Sequence, residues 1–379
     1  MATKSRFGPD APRIELTRSG VDYLIRPCEA GDGAGFLSLM QTITGSDRGE
    51  SWFRRTYIEN PYLDHVPLFV AETDGTIVGA RPFTAFRVQS GDERVLALLT
   101  RDTMVHPDHQ RRGLFTEMTK LALQYYTSRD VAFFFSHSNR KSLPGYEKLG
   151  WEPLGGRETY IRVQDARTFV SMRTRDLVTS VLSPVASPLS SAYLTLRDRS
   201  ATSPEYQTVT KYDDIPAELL AALFQRKHPE TPHIVRDEAF YRWRFRNPEW
   251  QPNTTYIARQ DGTPLAGVVT HTFDGRVTSG TAVVDVVPRT GGEKWQSAIA
   301  SILDAILADH ETVDSVHLSE PVFPARLLVE RGFLPTSRLP LSVLSAGGDL
   351  TLAVRPLNDG ILNGHESGDA ALELWSVAG

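Results

Sequence analysis

Apolar and polar positions follow different periods along the first half of the chain, and each period predicts one element. Residues 68–88 hold two β-rich runs on either side of Asp74-Gly75, which predicts a hairpin. The run at 94–105 predicts a further strand, and the continuous apolar run at 131–138 predicts a buried strand. Between these runs, residues 113–128 carry apolar side chains at helical spacing. The stripe of that predicted helix is Leu114, Met118, Leu121 and Tyr125.

The flanking segments complete one predicted unit. Helices are expected around 31–42 and 49–58, ahead of the hairpin. A short helix near 141–149 and a final strand near 157–163 are expected to close the unit.

The second half repeats this unit. FRRTYIENP at 53–61 aligns with FYRWRFRNP at 240–248 at an offset of 187, and the same offset places Asp74-Gly75-Thr76 on Asp261-Gly262-Thr263. Val105-His106-Pro107 matches Val286-Val287-Pro288 at an offset of 181. The matching helix stripe is Trp295, Ile299, Ile302 and Ile306. The sequence therefore predicts a duplication.

The repeat sets the predicted domain limits. They are a polar N-terminal segment at 1–20, a first domain at 21–163, a Ser/Thr/Arg-rich connector at 164–205, a second domain at 206–345 and a tail at 346–379.

Composition narrows the class of protein. The 379 residues fit two domains, and 40% apolar with 23% charged residues is typical of a globular protein. No apolar run reaches the roughly 20 residues of a membrane span, and the polar opening predicts no secretory signal. Cys28 is the single cysteine, so we expect no intramolecular disulfide and a cytoplasmic location.

Charge and histidine spacing argue against two kinds of partner. The net charge of −5 gives no basic field for nucleic acid. His106 and His109, three residues apart, are a weak metal signal, so no metal is expected. The sequence leaves open whether the protein is a monomer or a homo-oligomer.

A basic turn joins the strand at 94–105 to the helix at 113–128. It runs from Val105 to Thr116 as VHPDHQRRGLFT. A turn into a helix N-terminus presents unpaired amides and the positive end of the helix dipole, which favours an anion. Gly113 permits a ligand to approach the backbone closely, and Arg111 and Arg112 add positive charge suited to phosphate. The alternative is a plain basic loop that caps a core helix.

This turn resembles the acyl-CoA pyrophosphate loop of the GNAT superfamily of N-acyltransferases, whose pattern is Q/R-x-x-G-x-G/A. Phe115 departs from the pattern, because it stands where the family has a small residue, and we expect it to narrow the loop. NRKSLPGYEKLGW at 139–151 resembles the superfamily segment N-x-x-(A/S)-x-x-x-Y-x-x-x-G-F. The resemblance covers 22–163 well and 206–345 as fold only.

The resemblance implies the fold class and the reaction. The fold would be α/β (α+β), with two tandem domains that each hold a mixed, mostly antiparallel sheet flanked by helices. The activity would be transfer of an acetyl group from acetyl-CoA to an amine of an unidentified acceptor by direct attack.

It also implies site residues. Met104 and Val105 would pair with the pantetheine arm, Asn139 would contact that arm or its strand, and Tyr146 would protonate the leaving thiolate. The pyrophosphate loop would be Gln110, Arg111, Arg112, Gly113, Leu114 and Phe115, with Thr116 assisting. For Tyr146 the alternative is a packing aromatic, and for Asn139 a turn or cap.

The general base is less determined by the sequence. Asp102 is expected on the strand that enters the loop, as a base acting directly or through water, with a structural carboxylate as the alternative. Arg101 need not pair with it, because consecutive strand side chains point to opposite faces. His106 is a second candidate base.

The second copy lacks the equivalent residues. At the same spacings it has Lys294 for Gly113, Leu328 for Tyr146 and Pro321 for Asn139. We therefore expect a degenerate domain. Two other functions stay open: a Fem-type transferase that uses aminoacyl-tRNA, and a non-catalytic CoA-binding or structural module.

Overall fold

The computed structural model describes residues 11–156, 158–165, 207–245, 252–274, 279–318, 323–339, 341 and 350–357. The strands in chain order are β1 Ile14–Arg18, β2 Val21–Pro27, β3 Leu68–Thr73, β4 Thr76–Ser90, β5 Glu93–Thr100, β6 Met104–Val105, β7 Val131–Ser138, β8 Glu152–Gly156, β9 Tyr160–Val163, β10 Thr208–Tyr212, β11 His233–Ile234, β12 Asn253–Gln260, β13 Thr263–Asp274, β14 Ser279–Val287, β15 Ser315–Leu318, β16 Leu334–Pro335 and β17 Thr351–Pro356. The α-helices are α1 Asp32–Thr44, α2 Glu50–Phe53, α3 Leu114–Thr127, α4 Leu143–Glu147, α5 Ala217–Arg226, α6 Glu238–Arg244, α7 Glu293–Asp309 and α8 Ala325–Glu330.

The chain divides into two compact units. The first holds the described residues up to 155 together with 231–235 and 350–357, and the second holds the described residues of 156–230 and 236–349. Each unit has its own mixed sheet with flanking helices, as the expected fold class requires.

The sheet of the first unit runs in the order β1-β2-β3-β4-β5-β7-β17-β8, with β6 and β11 also paired to β4. The predicted hairpin is confirmed, since β3 and β4 flank Asp74 and Gly75 with φ of 48° and 73°. Neighbours from β1 to β5 are antiparallel, whereas β5 and β7 are parallel. The chain crosses between these two parallel strands through α3.

Helices cover both faces of this sheet. The predicted stripe of α3 is confirmed, because Leu114, Met118, Leu121 and Tyr125 are all buried in one cluster with the sheet. A second cluster contains α1, α2 and the π-helical turn Arg54–Ile58 that continues α2. The helix expected over 49–58 is thus present with a change of winding after Phe53.

The strand predicted at 94–105 is not continuous. β5 ends at Thr100 and β6 begins at Met104, so residues 101–103 leave the strand conformation. Asp102 has φ 46°, a left-handed value that turns the chain there. β5 then pairs with β4 on one side and β7 on the other, whereas β6 pairs with β4 alone among the described residues.

The sheet of the second unit runs in the order β10-β12-β13-β14-β15-β9-β16. β14 and β15 are its parallel pair, and α7 connects them. The predicted stripe Trp295, Ile299, Ile302 and Ile306 is confirmed as buried. Asp261 and Gly262 repeat the left-handed turn of the first hairpin, with φ of 50° and 77°.

Two strands pair outside the predicted domain limits. The strand expected near 157–163 lies at 160–163, but β9 pairs with β15 and β16 of the second sheet. β17, from the predicted tail, pairs antiparallel with β7 of the first sheet. The polar segment at 1–20 also contains a strand, because β1 pairs with β2. Most of the predicted connector, the aligned Asn247-Pro248 and the tail after 357 lie outside the described residues.

Candidate active site

The basic turn leads into α3 through two residues with left-handed backbone. Arg111 has φ 61°, and Gly113, the N-cap of the helix, has φ 79° with no side-chain cap. A Cβ built on Gly113 meets nothing within 4 Å, so the space in front of the first turn is open. The first amides of a helix have no carbonyl partner within it, so this opening can accept an anion.

Side chains behind the turn hold its basic residues in place. The Arg112 guanidinium donates to the Tyr23 hydroxyl at 2.7 Å, and that hydroxyl lies 2.8 Å from Nδ1 of His109. Burial and then the charge of Arg112 lower the pKa of His109, which favours the neutral ring whose Nδ1 can accept from Tyr23. Arg111 is exposed, as are Gln110 and Gly113, whereas Leu114 is buried and Thr116 partly buried.

The break between β5 and β6 places the predicted pantetheine-binding strand beside this turn. Met104 is buried, and Met104 and Val105 pair with Ala80 and Gly79 of β4. The side-chain amide of Gln110 donates to the Val105 carbonyl at 3.2 Å, which ties the turn to the strand. The other edge of β6 pairs with no strand in the described part of the chain, so its backbone groups can meet an extended ligand.

Tyr146 lies on α4 with its side chain buried against the sheet. Its hydroxyl donates to Thr100 Oγ1 at 3.2 Å and accepts from Nη1 of Arg81 at 2.7 Å. Burial alone raises the pKa of Tyr146, but the charge of Arg81 and the hydrogen bonds with Thr100, Arg81 and Thr103 outweigh it. The pKa therefore lies below its ordinary value.

Arg81 is a site residue that the sequence reasoning missed. It is fully buried on β4, and Nη1 also donates to Thr103 Oγ1 at 2.6 Å. The signal was an arginine within the apolar run of this strand, where charged residues are rarely buried without a reason. Tyr23 was missed as well, and its sequence context gave no signal.

Phe115 does not narrow the loop as expected. Its ring lies 5.5 Å from the Tyr146 ring at an edge-on angle of 88°, and a Cβ on Gly145 would meet it at 3.3 Å. The Arg81 guanidinium lies 5.2 Å from the same ring. Helical side chains point back towards the N-terminus of their helix, and the Phe115 side chain in the first turn of α3 packs against α4. The aromatic replacement therefore borders Tyr146.

Asn139 follows β7 and shapes the turn into α4. Its side-chain oxygen accepts from the amides of Lys141 and Ser142, both at 3.0 Å. Its carbonyl accepts from Ser142 and Leu143. Of the two roles left open for Asn139, these contacts support the turn role.

Arg101 and Asp102 form a pair, although neighbours along a strand need not do so. Arg101 Nε donates to Asp102 Oδ2 at 3.0 Å, because both residues lie in the break between β5 and β6 and not within a strand. The Tyr57 hydroxyl donates to the same oxygen at 2.7 Å. Burial raises the pKa of Asp102, but the charge of Arg101 and the bonds from Tyr57 and Arg101 outweigh it and lower the pKa.

The C-terminal strand supports the end of α4. Arg355 Nε, on β17, donates to the Leu149 carbonyl at 3.2 Å. Gly150 has φ 86°, and a Cβ there would stand 2.7 Å from that nitrogen. The left-handed backbone favours glycine here, and a larger residue would also displace the Arg355 side chain.

Two features are absent from the described residues. No helix there is long and apolar enough to cross a membrane. Within the same ranges, no group of three or more His, Cys, Asp or Glu side chains is placed to hold a metal ion.

Comparison with known proteins gives a family match for part of the first unit. Residues 25–154 match the family model described as an acetyltransferase (GNAT) domain. This segment is similar to the GNAT acetyltransferase domain family. The match contains the basic turn, β6 and Tyr146, so the expected resemblance is confirmed for this GNAT domain. A comparison of the sequence with curated proteins gives no match.

Solved structures resemble more of the chain than the GNAT domain alone. A GCN5-related N-acetyltransferase from Anabaena variabilis ATCC 29413 has 13% identity and a TM-score of 0.60, over 89% of this chain and 73% of its own. A conserved protein of unknown function from Enterococcus faecalis V583, called a probable N-acyltransferase, has 12% identity and a TM-score of 0.62, over 90% and 74%. A GCN5-related N-acetyltransferase from Kribbella flavida has 15% identity and a TM-score of 0.55, over 89% and 71%. At these identities the likeness concerns the fold.

Proposed function

We propose that this protein is an N-acetyltransferase that transfers an acetyl group from acetyl-CoA to the amine of an acceptor by direct attack, in the cytoplasm. The observation that carries the proposal is the open, left-handed turn at Gly113 in the same domain as a buried Tyr146 whose hydroxyl is held by Arg81 and Thr100. One feature suits an anionic phosphate and the other suits a leaving thiolate.

The turn provides the donor-binding part of this proposal. The amides from Gln110 to Phe115 and the hydroxyl of Thr116 would hold the pyrophosphate at the positive end of α3. The backbone of Met104 and Val105 would pair with the pantetheine arm along the open edge of β6. Asn139 would hold the turn that leads from β7 into α4, the helix that carries Tyr146.

Tyr146 and Asp102 provide the proton-transfer part. Attack of a neutral amine on the thioester forms a C–N bond and breaks the C–S bond, so the amine must lose a proton and the sulfur must gain one. Tyr146 would give its proton to the sulfur. Asp102 is the candidate base, and its lowered pKa keeps it ionised but makes it a weak base. Tyr57 and Arg101 both use its Oδ2, so Oδ1 is the oxygen that would take the proton.

The second unit would be a copy of the same fold without the site. Its parallel pair β14–β15 is joined by α7, as β5 and β7 are joined by α3. The structural neighbours also align with about nine-tenths of the chain. The position expected to replace Tyr146 holds the buried Leu328, and Pro321 lies outside the described residues. We propose that this unit has a structural role.

Calorimetric titration of acetyl-CoA tests the proposal. We expect one site per chain in the wild type, and Gly113→Glu should weaken binding at least roughly 100-fold, because the new carboxylate occupies the opening and repels phosphate. Gly113→Ala is the matched control, since it imposes the same left-handed strain of about 1–3 kcal/mol without the charge. It should bind far better than Gly113→Glu.

A second control lies in the other unit. Gly292 is the N-cap of α7, and a Cβ there also meets nothing within 4 Å. Gly292→Glu should leave acetyl-CoA affinity unchanged. Two sites in the wild type, or loss of binding in Gly292→Glu, would contradict the assignment. Release of free thiol with a panel of amines then tests turnover, and binding without turnover would favour the non-catalytic module.

A further inference from the structure

The buried guanidinium of Arg81 has no carboxylate partner in the described part of the chain. Nη1 donates to Tyr146 and Thr103, whereas Nε and Nη2 are buried and make no hydrogen bond there. Three aromatic rings surround the cation at 5.0 to 5.2 Å, those of Phe83, Phe115 and Tyr146. A charge buried in this way is costly unless an opposite charge forms beside it.

Another buried arginine of the same unit has the usual carboxylate partners. Arg26 forms ion pairs with Asp32 at 2.7 Å and Glu72 at 2.5 Å. Arg81 has no such pair, and the acidic group in direct contact with it is the Tyr146 phenol. The phenolate form of Tyr146 would supply the missing negative charge.

Other buried tyrosines of the first unit show how the contact with Arg81 changes the pKa of Tyr146. The hydroxyl of Tyr57 donates to Asp102, and that of Tyr126 lies 2.8 Å from Nε2 of His65. Burial raises the pKa of both tyrosines well above its ordinary value. Tyr146 is buried to a similar degree but contacts a cation, and its pKa is lowered. The neighbouring charge, more than burial, therefore accounts for the difference between the pKa of Tyr146 and those of the other two tyrosines.

We propose that Arg81 is a positioning residue that stabilises the phenolate of Tyr146 and so makes Tyr146 a stronger acid towards the leaving sulfur. This inference rests on the proposed acetyltransferase function. During transfer, the amine nitrogen bonds to the acyl carbon, and the C–S bond breaks with its electron pair on sulfur. The phenolic proton of Tyr146 moves to that sulfur. The phenolate left beside Arg81 then regains a proton, equivalent to the one lost by the amine.

The groups that face Tyr146 come from several elements. Arg81 lies on β4, Thr100 ends β5, Thr103 precedes β6, Phe115 lies on α3, and the Trp151 ring stands 5.2 Å away. Arg81 is the charged member of this set. A change in the ionisation of Tyr146 on removing Arg81 would therefore report the loss of this one charge.

Spectroscopic titration of tyrosine tests the inference without requiring activity. The chain has 12 tyrosines, so the Tyr146 signal is taken as the difference between each protein and its Tyr146→Phe counterpart. We expect the Tyr146 transition of the wild type to lie below the ordinary tyrosine range, and Arg81→Met to move it to higher pH. Arg81→Lys keeps a charge without the planar donor, so its Tyr146 transition should lie at a pH between those of the wild type and Arg81→Met.

Kinetics provide the second readout. Arg81→Met should lower kcat about tenfold, less than the roughly 100-fold or greater loss in Tyr146→Phe, with the dissociation constant of acetyl-CoA unchanged. The protonated phenol is the active form, so activity falls as pH rises through its pKa. Removing Arg81 raises that pKa, and the alkaline limb of the kcat profile should move to higher pH.

Arg94→Met is the charge control, because Arg94 is exposed on β5 and contacts Gln89. It should change neither the Tyr146 transition nor kcat. If Arg81→Met does not fold, Arg81→Gln carries the same expectation. An identical Tyr146 transition in the wild type and the neutral variant would overturn the inference. A shifted transition in a protein with no transferase activity would support it and reject the proposed function.

Discussion

The N-caps of the two long helices, Gly113 and Gly292, are both open, but in the second unit a tryptophan packs against the residue just before the N-cap. A Cβ on Gly113 meets nothing within 4 Å, but one on Gly291 would collide with the Trp295 side chain. The Trp295 indole donates to the Pro288 carbonyl at 3.0 Å, so it uses a backbone group of the turn. The turn of the second unit is thus packed against its own helix one residue before an N-cap that stays open.

Two buried tyrosines extend the comparison to charge. Tyr146 accepts from Arg81, whereas Tyr241 of the second unit donates to Asp285 at 2.8 Å. Burial and then the charge of Asp285 raise the pKa of Tyr241, the opposite of the shift at Tyr146. A phenol that contacts a cation is suited to give up a proton, and one that contacts a carboxylate is suited to hold a structure together.

The largest expected effect is on stability, at Asp285. This carboxylate is 1% exposed and binds Nε of the fully buried Arg236 at 2.8 Å. Asp285→Asn should lower the free energy of unfolding of the second unit by about 3–5 kcal/mol, because it removes one partner of a buried ion pair. Urea unfolding measures this. Asp102→Asn, at a carboxylate 24% exposed, should cost only about 1 kcal/mol, and equal losses would contradict the comparison.

Tyr146→Phe sharpens the comparison of the two phenols. We expect kcat to fall roughly 100-fold or more with little change in acetyl-CoA affinity, since the variant loses the acid but keeps the ring. Tyr241→Phe is the matched control and should lower stability while leaving kcat unchanged. Full turnover in Tyr146→Phe would exclude Tyr146 as the acid.

Acid should weaken the first unit partly through Asp102. Its pKa is lowered in the folded state, so the unfolded state binds more protons as pH falls. The stability it contributes is present above the unfolded pKa of about 3.9 and is lost as pH falls through the folded pKa. Urea unfolding from about pH 6 to pH 3 should show the wild type losing its advantage over Asp102→Asn. A constant difference across this range would refute the expectation.

The smallest expected effect is at Tyr23. Tyr23→Phe removes the hydroxyl that joins Arg112 to His109, so acetyl-CoA affinity should fall about threefold through loss of one hydrogen bond. Thr17→Val is the control, because it removes a hydrogen bond to Asp22 in the same β1–β2 hairpin, one that does not involve Arg112. If both variants bind alike, Arg112 does not depend on Tyr23.

Local patterns predicted much of this protein. Asp-Gly turns marked both hairpins, and apolar spacing marked α3 and α7 with their buried stripes. Counting residues from the Val-Pro pair located the start of the long helix less exactly in the second unit. It placed Lys294 at the Gly113 position, whereas the N-cap of α7 is Gly292, because the shorter turn starts the helix sooner.

The sequence by itself determined the elements and the basic turn, because these depend on neighbours along the chain. Only the tertiary structure decided which sheet takes β9 and β17, since both pair with strands far away in sequence. It also decided the environment of Tyr146. Arg81 lies 65 residues earlier, and its charge acts on the phenol only because β4 and α4 bring the two side chains within 2.7 Å.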